Sequence, residues 1–344
     1  MKVIFFTRYD TLGASSRLRF LQFIPFLEKS GFAVEVFPFF DNSYLTGLYS
    51  GKKRSLRQVW KFYRKRFRAM RQIPAGVPVI IEYELLPHLP WIWEKSFLQK
   101  HPYILNFDDA VDIHYEKIPF LKHKYPQLIR HAAGVIAAND SLLTRFGKYN
   151  QNIIKLATIP PAAIAPGKDK PSRLTLVWTG TPVTGKFLYE RSAALQLAAR
   201  STDFDLLIVG SSAMPGIPGV NCRCIDWSEA AEAGALATAH AGIMPLPDTP
   251  FARGKSAYKL ICYLRSGIPG IASPVGENCR VIKHGGNGLL VNSDAEWAQA
   301  VKSLSDPDTL KHLSAGAEVS GKAYAPESAA GEMISFIRQT FSIT

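Results

Sequence analysis

In the segment AGIMPLPDTPFARGKSAYKLICYLRSG, Ala241–Gly267, Lys255 and Lys259 flank Ser256. Ser256 has the side chain of a helix cap, and a helix from there through Arg265 puts Lys259 in its first turn. Exposed amides at a helix start, joined by two ammonium groups, suit a diphosphate. A second candidate is LTLVWTGTPVTGKFL, where a strand, the glycines Gly180 and Gly185 and then Lys186 follow the order of a phosphate cradle. The G-K-[ST] ending of a Walker loop is absent. Near the N-terminus Gly13 offers a turn, Ser15 or Ser16 can cap a helix, and Arg17 and Arg19 follow in its first turn, again a setting for an anion. No G-x-G-x-x-G is present, so a dinucleotide fingerprint is not supported.

Acids gather at two other points. IEYELLPHLP holds Glu82, Glu84 and His88, and LNFDDAVDIH holds Asp108, Asp109, Asp112 and His114. Placed after strand ends, such carboxylates position a sugar hydroxyl or balance positive charge in a transition state. Asp109 and Asp112 without further identifiable ligands do not make a metal site, and none is expected.

These residues need elements that bring them to one edge. Apolar runs of strand length recur at Val3–Phe6, Val34–Phe37, Val79–Ile81, Tyr103–Leu105 and Val135–Ala137, then at Leu174–Trp178, Leu206–Val209, Gly242–Leu246 and Gly270–Ala272. Amphipathic or Ala-rich stretches such as Arg17–Ser30, Glu190–Ala199 and Glu229–Ala239 lie between them. This alternation predicts two α/β domains with parallel sheets. The proline-rich stretch Thr158–Arg173 has no helical period and reads as a linker. The expected organisation is a Rossmann-like domain over 1–160, a second over 161–325, and a C-terminal helix, 326–344, packing back on the first. Two such domains would face a deep cleft, with ligands outside the carboxyl ends of the strands.

Composition narrows the class. The chain has 344 residues, is 47% apolar and has a mean hydropathy near zero, which is globular. No run of about 18 uncharged apolar residues is present, so no membrane-spanning helix is expected. MKVIFFTRYD reads as a first strand rather than a leader, and a cytoplasmic location is expected. The four cysteines, Cys222, Cys224, Cys262 and Cys279, lack zinc-site spacing and read as reduced thiols. A net charge of +13 favours a polyanion, a phosphorylated ligand or an anionic membrane surface.

The opening GASSRLRFLQFIPFLEKSG, the segments N-F-D-D-A, V-I-A-A-N-D and V-W-T-G-T-P, and above all K-L-I-C-Y-L-R-S-G-I-P-G-I-A-S-P-V-G resemble a known family. It is that of retaining nucleotide-sugar glycosyltransferases of the GT-B fold, family 4, in which the last segment reads K-L-x-E-Y-M-A-x-G-x-P-V-V-A-S. The resemblance implies transfer of a sugar from a UDP-, GDP- or dTDP-sugar to a glycan or lipid-linked acceptor, with retention and without a cofactor or metal. It implies that Gly254–Lys259, hence Lys255 and Ser256, meet the donor's diphosphate and sugar. Lys186 would be the diphosphate's basic partner, beside Gly180. Ile225 and Trp227 would lie against the base, Glu277 and Asn278 near the sugar, and Gly13 to Arg17 over the phosphate. Lys186 and Lys259, with Asp108 and Glu84 among the acids, are the candidate catalytic residues. Where the family carries two glutamates eight positions apart, this chain has Gly254 and Cys262, which cannot hold ribose hydroxyls in the same way.

The stretch Lys52–Arg71 carries ten Lys or Arg residues and no acid. At helical spacing Leu56, Val59, Trp60, Tyr63, Phe67 and Met70 share one arc. Arg57, Lys61, Arg64, Lys65 and Arg68 lie opposite, Arg66 flanks the stripe and Phe62 breaks it. This predicts a packed apolar side and a basic side turned to anionic lipid, a peripheral placement on the inner face of the cytoplasmic membrane. Rival readings are a sugar-nucleotide epimerase of the same fold, a degenerate sugar-nucleotide-binding protein, and a nucleic-acid-binding protein. No nucleic-acid module is recognisable, so nucleic acid is not an expected partner.

Overall fold

Each apolar run is too short for a helix and is bounded by turn residues, and each becomes a parallel strand, buried except for Val34–Phe37 at a sheet edge. The computed structural model describes all residues except 50–54, 162–169, 212–215 and 343–344. One sheet is built from β1 (Lys2–Tyr9), β2 (Ala33–Phe40), β3 (Val79–Glu82), β4 (Tyr103–Phe107), β5 (Gly134–Ala137) and β6 (Ile153–Lys155). Its order is β2-β1-β3-β4-β5-β6. The other is built from β7 (Leu174–Thr179), β8 (Phe204–Val209), β9 (Asn221–Ile225), β10 (Ala241–Met244), β11 (Gly270–Ala272) and β12 (Gly288–Leu290), in the order β12-β11-β10-β7-β8-β9. All pairings within both sheets are parallel. The expected architecture of two Rossmann-like α/β sheets is present.

Two compact units result. The first is Met1–Pro161 with Gly254–Ser256 and Pro326–Thr344, and the second is Ala162–Arg253 with Ala257–Ala325. In the first, β1, β3 and β4 are sealed by Phe97, Leu98, Leu128 and Ile129. The helix Pro326–Thr340 adds Ala330, Met333, Phe336 and Ile337, all buried. Its fit is tight: a Cβ on Gly134 would lie 2.7 Å from the Phe336 ring. Arg338 donates to the Ser30 carbonyl at 2.9 Å. Each buried aliphatic or aromatic side chain of this kind contributes about 1.5–3 kcal/mol. In the second unit Trp178, Trp297, Leu206 and Leu313 share the core.

The sheet orders fix where loops converge. Strand order reverses between β1 and β3 in the first sheet and between β7 and β10 in the second, and the carboxyl ends of these pairs border crevices.

Three elements differ from the sequence reading. The stretch Arg17–Ser30 is not one helix but Ala14–Arg19, a 3-10 turn Leu21–Phe23, and Ile24–Lys29. Pro25 sits in the first turn of the last piece, where its missing N–H is tolerated, whereas inside a continuous helix it would break the ladder. The N-cap of Ala14–Arg19 is Gly13, so neither Ser15 nor Ser16 caps it, and Arg19 ends it. The basic stretch forms the helix Leu56–Gln72, while Lys52–Arg54 lie outside the described residues. Its buried residues are Phe62, Arg66, Ala69 and Met70, and Leu56 and Trp60 are 78% and 67% exposed. The phase is set by a tertiary partner, the aromatic cluster Phe39, Phe40 and Tyr44, which takes in Phe62.

Candidate functional site

The β7/β10 crevice of the second unit carries the densest set of constrained residues. The backbone ladder continues past the strand ends: Gly180 N donates to Val209 O at 3.0 Å and Gly210 N to Ile225 O at 2.9 Å. A Cβ on Gly180 would lie 2.5 Å from the Trp178 ring, and one on Gly210, whose φ is +86°, would lie 2.1 Å from Gly180 O. Only glycine fits there. Trp227 begins at the same edge, its Cβ 3.3 Å from that Gly210 position. Its indole N–H donates to Glu232 Oε2 at 3.3 Å. Lys259 reaches the edge from the other side, with Nζ 5.3 Å from the Trp178 ring centroid. Thus Gly180, Ile225, Trp227 and Lys259 are brought together, with Trp178, Gly210 and Glu232 as members that the sequence did not single out. Gly210 ends an apolar strand run, which was the available signal.

One expectation about this edge is corrected. The helix is Tyr258–Arg265, and its N-cap is Ala257 at φ +52°, not Ser256. A left-handed alanine at a cap is uncommon and costs on the order of 1 kcal/mol, so the turn is held by its surroundings. No side chain caps the first turn of this helix, in which Lys259 lies. Lys255 has Nζ 3.6 Å from Asp109 Oδ2 in the first unit, to which Gly254–Ser256 belongs. The Gly254 carbonyl there accepts from Asn139 Nδ2 at 2.7 Å.

Lys186 is exposed in the last turn of the helix Pro182–Tyr189, whose start at Thr181 is closed by a capping box with Thr184. Its Nζ lies 5.1 Å from the centroid of the Phe187 ring. Cys262 is buried on Tyr258–Arg265, and burial, then the Glu232 carboxylate, push its thiol well above the usual range. Gly276, at φ +56°, lets the turn press on Arg253, where a Cβ would meet the carbonyl at 2.5 Å. Glu277 and Asn278 follow, both buried. Asn278 Nδ2 donates to Ser273 O at 3.0 Å, while its Oδ1 is buried without a hydrogen-bond partner.

In the first unit the β1/β3 crevice holds a buried polar network. Ser16 Oγ donates to Glu82 Oε2 at 2.5 Å, and the same oxygen accepts from Arg8 N at 2.7 Å. Ser16 is therefore a tie between strand ends rather than a cap. Glu84 is 3% exposed and spoken for on both oxygens: Lys124 Nζ is 2.5 Å from one, and Tyr115 OH donates to the other at 2.6 Å. Lys124 also meets Glu94 at 2.8 Å, so one buried ammonium serves two carboxylates. Tyr83 and His88, both at φ +62°, bracket this turn in left-handed conformations rare for such residues. Tyr83 OH donates to Asp108. Burial, then neighbouring Asp109, push the Asp108 carboxyl up to about 7. Asp112 pairs with Arg145. Arg17 Nη1 donates to Thr11 O at 3.4 Å, over the turn that Gly13 makes against Tyr9. Among the described residues no group of three or more His, Cys, Asp or Glu is placed to hold a metal ion.

Residues 175–306 match the family model of Glycosyl transferases group 1. That span holds the whole β7/β10 edge and covers fewer than half of the chain's residues. Solved structures match along the full length. Sucrose-phosphate synthase from Thermosynechococcus elongatus aligns with a TM-score of 0.72 at 13% identity, covering 100% of both chains. Anabaena Alr3699/HepE in complex with UDP aligns at 0.66 and 14% identity, covering 98% of this chain and 100% of that one. A glycosyltransferase from Rickettsia africae aligns at 0.66 and 11% identity, covering 100% and 99%. No curated protein matches the chain in sequence. These likenesses give the fold: it is GT-B.

The basic helix has its own geometry. Arg66, 2% exposed, donates from Nη2 to Thr7 O at 2.8 Å and stacks 4.6 Å from the Phe6 ring centroid. Lys61, Arg64, Lys65 and Arg68 stay exposed and surround a recess of about 510 Å³ beside Asp41. Among the described residues no helix is long and apolar enough to cross a membrane.

Proposed function

We propose that this protein is a retaining glycosyltransferase that moves a sugar from a nucleoside diphosphate sugar to an acceptor. The observation that carries the reading is the β7/β10 edge, where Lys259 projects over Trp178 beside two obligatory glycines and an uncapped helix start. Small residues let a diphosphate approach the backbone, and a fixed ammonium at a helix start stabilises the charge that grows on the leaving group. Lys186 supplies a second cation. Ile225 and Trp227 face the base, and Glu277 and Asn278 hold the sugar, with the unpartnered Asn278 Oδ1 ready to accept from a hydroxyl. The match of residues 175–306 to group 1 glycosyl transferases supports this assignment. Anabaena HepE, a structural neighbour, is described in complex with UDP.

The second unit is then the donor domain, and the first takes the acceptor, a glycan or lipid-linked molecule of the cell envelope. Asp108 orients an acceptor hydroxyl, and Gly13 with Arg17 offers a further anion contact. Lys255 and Ser256 lie close in sequence to the donor loop. The protein works on the inner face of the cytoplasmic membrane, held there by the exposed cations of Leu56–Gln72, each contributing about 1 kcal/mol near anionic lipid.

The test is thermal unfolding with UDP, GDP, dTDP and their sugars, followed by product analysis. A ligand at 100 times its dissociation constant stabilises by about 2.7 kcal/mol. One base should stand out, and the product anomer should keep the donor's configuration. No shift with any nucleotide overturns the donor site. An inverted product overturns retention. Free nucleotide released without an acceptor product favours an epimerase.

A further inference from the structure

The helix Leu56–Gln72 has a second flank. On it, Phe67, Met70 and Ile73 form one wall of a groove of about 780 Å³, and Ile92, Trp93 and Phe97 form the other. This lies within the roughly 300–1,000 Å³ of pockets that enclose small molecules. Phe67 and Trp93 meet across it with ring centroids 6.4 Å apart. Arg71 and Lys100, both exposed, stand in its lining, and no carboxylate does. The one acid on the helix Ile92–Leu98 is Glu94, which is buried and bonded to Lys124 and to Leu86 N. At the mouth Ile92 and Trp93 remain 65% and 53% exposed. Apolar walls, an acid-free lining and cations beside the opening complement one kind of molecule, an anionic amphiphile.

We propose that this groove takes one acyl chain of an anionic membrane phospholipid, with the head-group phosphate between Arg71 and Lys100. The proposal rests on the membrane reading of the basic helix and deepens it. The exposed cations draw the protein to the leaflet, an interaction that salt screens. The groove then adds a contact that salt does not remove, because it buries apolar surface. Trp93 suits the head-group level, where an apolar ring and a polar N–H are both served.

The experiment is flotation of the full chain with phosphatidylcholine vesicles containing 30% phosphatidylglycerol, at low and at high salt. Three proteins are compared: wild type, Ser96→Trp, and the variant with Arg57, Lys61, Arg64, Lys65 and Arg68 changed to Ser. Ser96 is exposed and lines the groove, so a tryptophan there blocks it without touching the core. Wild type should keep binding at high salt. Ser96→Trp should lose at least tenfold of that salt-resistant partition while keeping its low-salt binding, and the five-site variant should lose low-salt binding. Dodecyl phosphate should protect the wild type against thermal unfolding and spare Ser96→Trp, whereas inorganic phosphate should act on neither. Identical salt profiles for wild type and Ser96→Trp overturn the groove, as does dodecyl phosphate acting no better than phosphate. A dimer that Ser96→Trp dissolves assigns the groove to a second copy and overturns the lipid. No flotation at any salt overturns groove and membrane reading together, and the nucleotide shift measured in parallel still reports on the donor site.

Discussion

Asp108→Asn should reshape the pH dependence of stability. Burial is the first cause and Asp109 the second of a carboxyl raised from 3.8 to about 7. The folded state therefore holds a proton that the unfolded chain releases between about pH 4 and pH 7. Stability changes with pH in proportion to protons bound in the unfolded minus the folded state, so this group makes stability fall as pH rises through that window. About three units at 1.36 kcal/mol each give an upper bound near 4 kcal/mol, and partial solvent access to Asp108 brings the expectation to roughly 2–4 kcal/mol. Asparagine keeps an oxygen for the Tyr83 hydroxyl and never ionises. Urea unfolding at intervals from pH 4 to pH 8.5 should show the variant gaining on wild type by that amount, with little difference at the acid end. Parallel curves for the two proteins would refute the reasoning, and so would a gain confined to the acid end.

Lys259→Ala, and separately Lys186→Ala, should lower transfer about 10²–10³-fold with unfolding temperature unchanged, the range for loss of one preorganised charge partner; near wild-type turnover in both removes the donor site. Gly210→Ala should destabilise by about 1–3 kcal/mol from backbone strain alone, with more from the contact with Gly180 O, as read by denaturant titration of the second unit. Cys224 and Cys279 are exposed, so a disulfide reagent should label them quickly, while buried Cys262 should label only on unfolding. Cys262→Glu, placing a carboxylate at the position where the resembled family carries its second glutamate, should change nucleotide affinity, as read by calorimetric titration with the nucleotide that stabilises the wild type; unchanged affinity in a folded variant shows that the alignment there is wrong. Lys124→Met should cost about 3–5 kcal/mol, because Glu84 and Glu94 would be left buried and uncompensated.

What could be read beforehand follows a physical line. The interior strands announce themselves because both faces are covered; β2, an edge strand, was legible only because its run is apolar although partly exposed, and every run that was read became a strand. The three that went unread, β6, β9 and β12, are all edge strands. β9, Asn-Cys-Arg-Cys-Ile, is largely exposed, and an edge strand needs neither length nor an apolar run. At the β7/β10 edge Gly180 could be named beforehand, because close backbone approach admits few residue types, whereas Gly210 was passed over at the end of an apolar run. The left-handed start at Ala257 was not, since alanine carries no mark of that conformation. Asp108 and Glu84 look alike in sequence, yet one is a raised carboxyl facing a strained tyrosine and the other is locked under Lys124. Apart from the adjacent Asp109, that difference arises from residues far along the chain: Tyr83 for Asp108, and Lys124 and Tyr115 for Glu84. Phe62 and Arg66 were misread for the same reason, as the helix alone does not contain the Phe39 and Phe40 rings that decide which side packs.

Arg66 also changes what kind of object the basic helix is. A surface peptide that lands on a bilayer can roll, tilt or peel away from its parent. Here the guanidinium is threaded through the helix's underside onto the Thr7 carbonyl, between the rings of Phe6 and Phe39. Rolling the helix would break the Thr7 hydrogen bond and draw the guanidinium out from between the two rings. The helix therefore behaves as a keel bolted near the C-terminal end of β1, and any surface it settles on fixes the bearing of the strand that carries Arg8 and Tyr9. Arg66→Lys, which keeps the charge but loses the planar fork, should loosen that bearing without reducing attraction to the surface, leaving a protein that arrives as often but no longer in one pose.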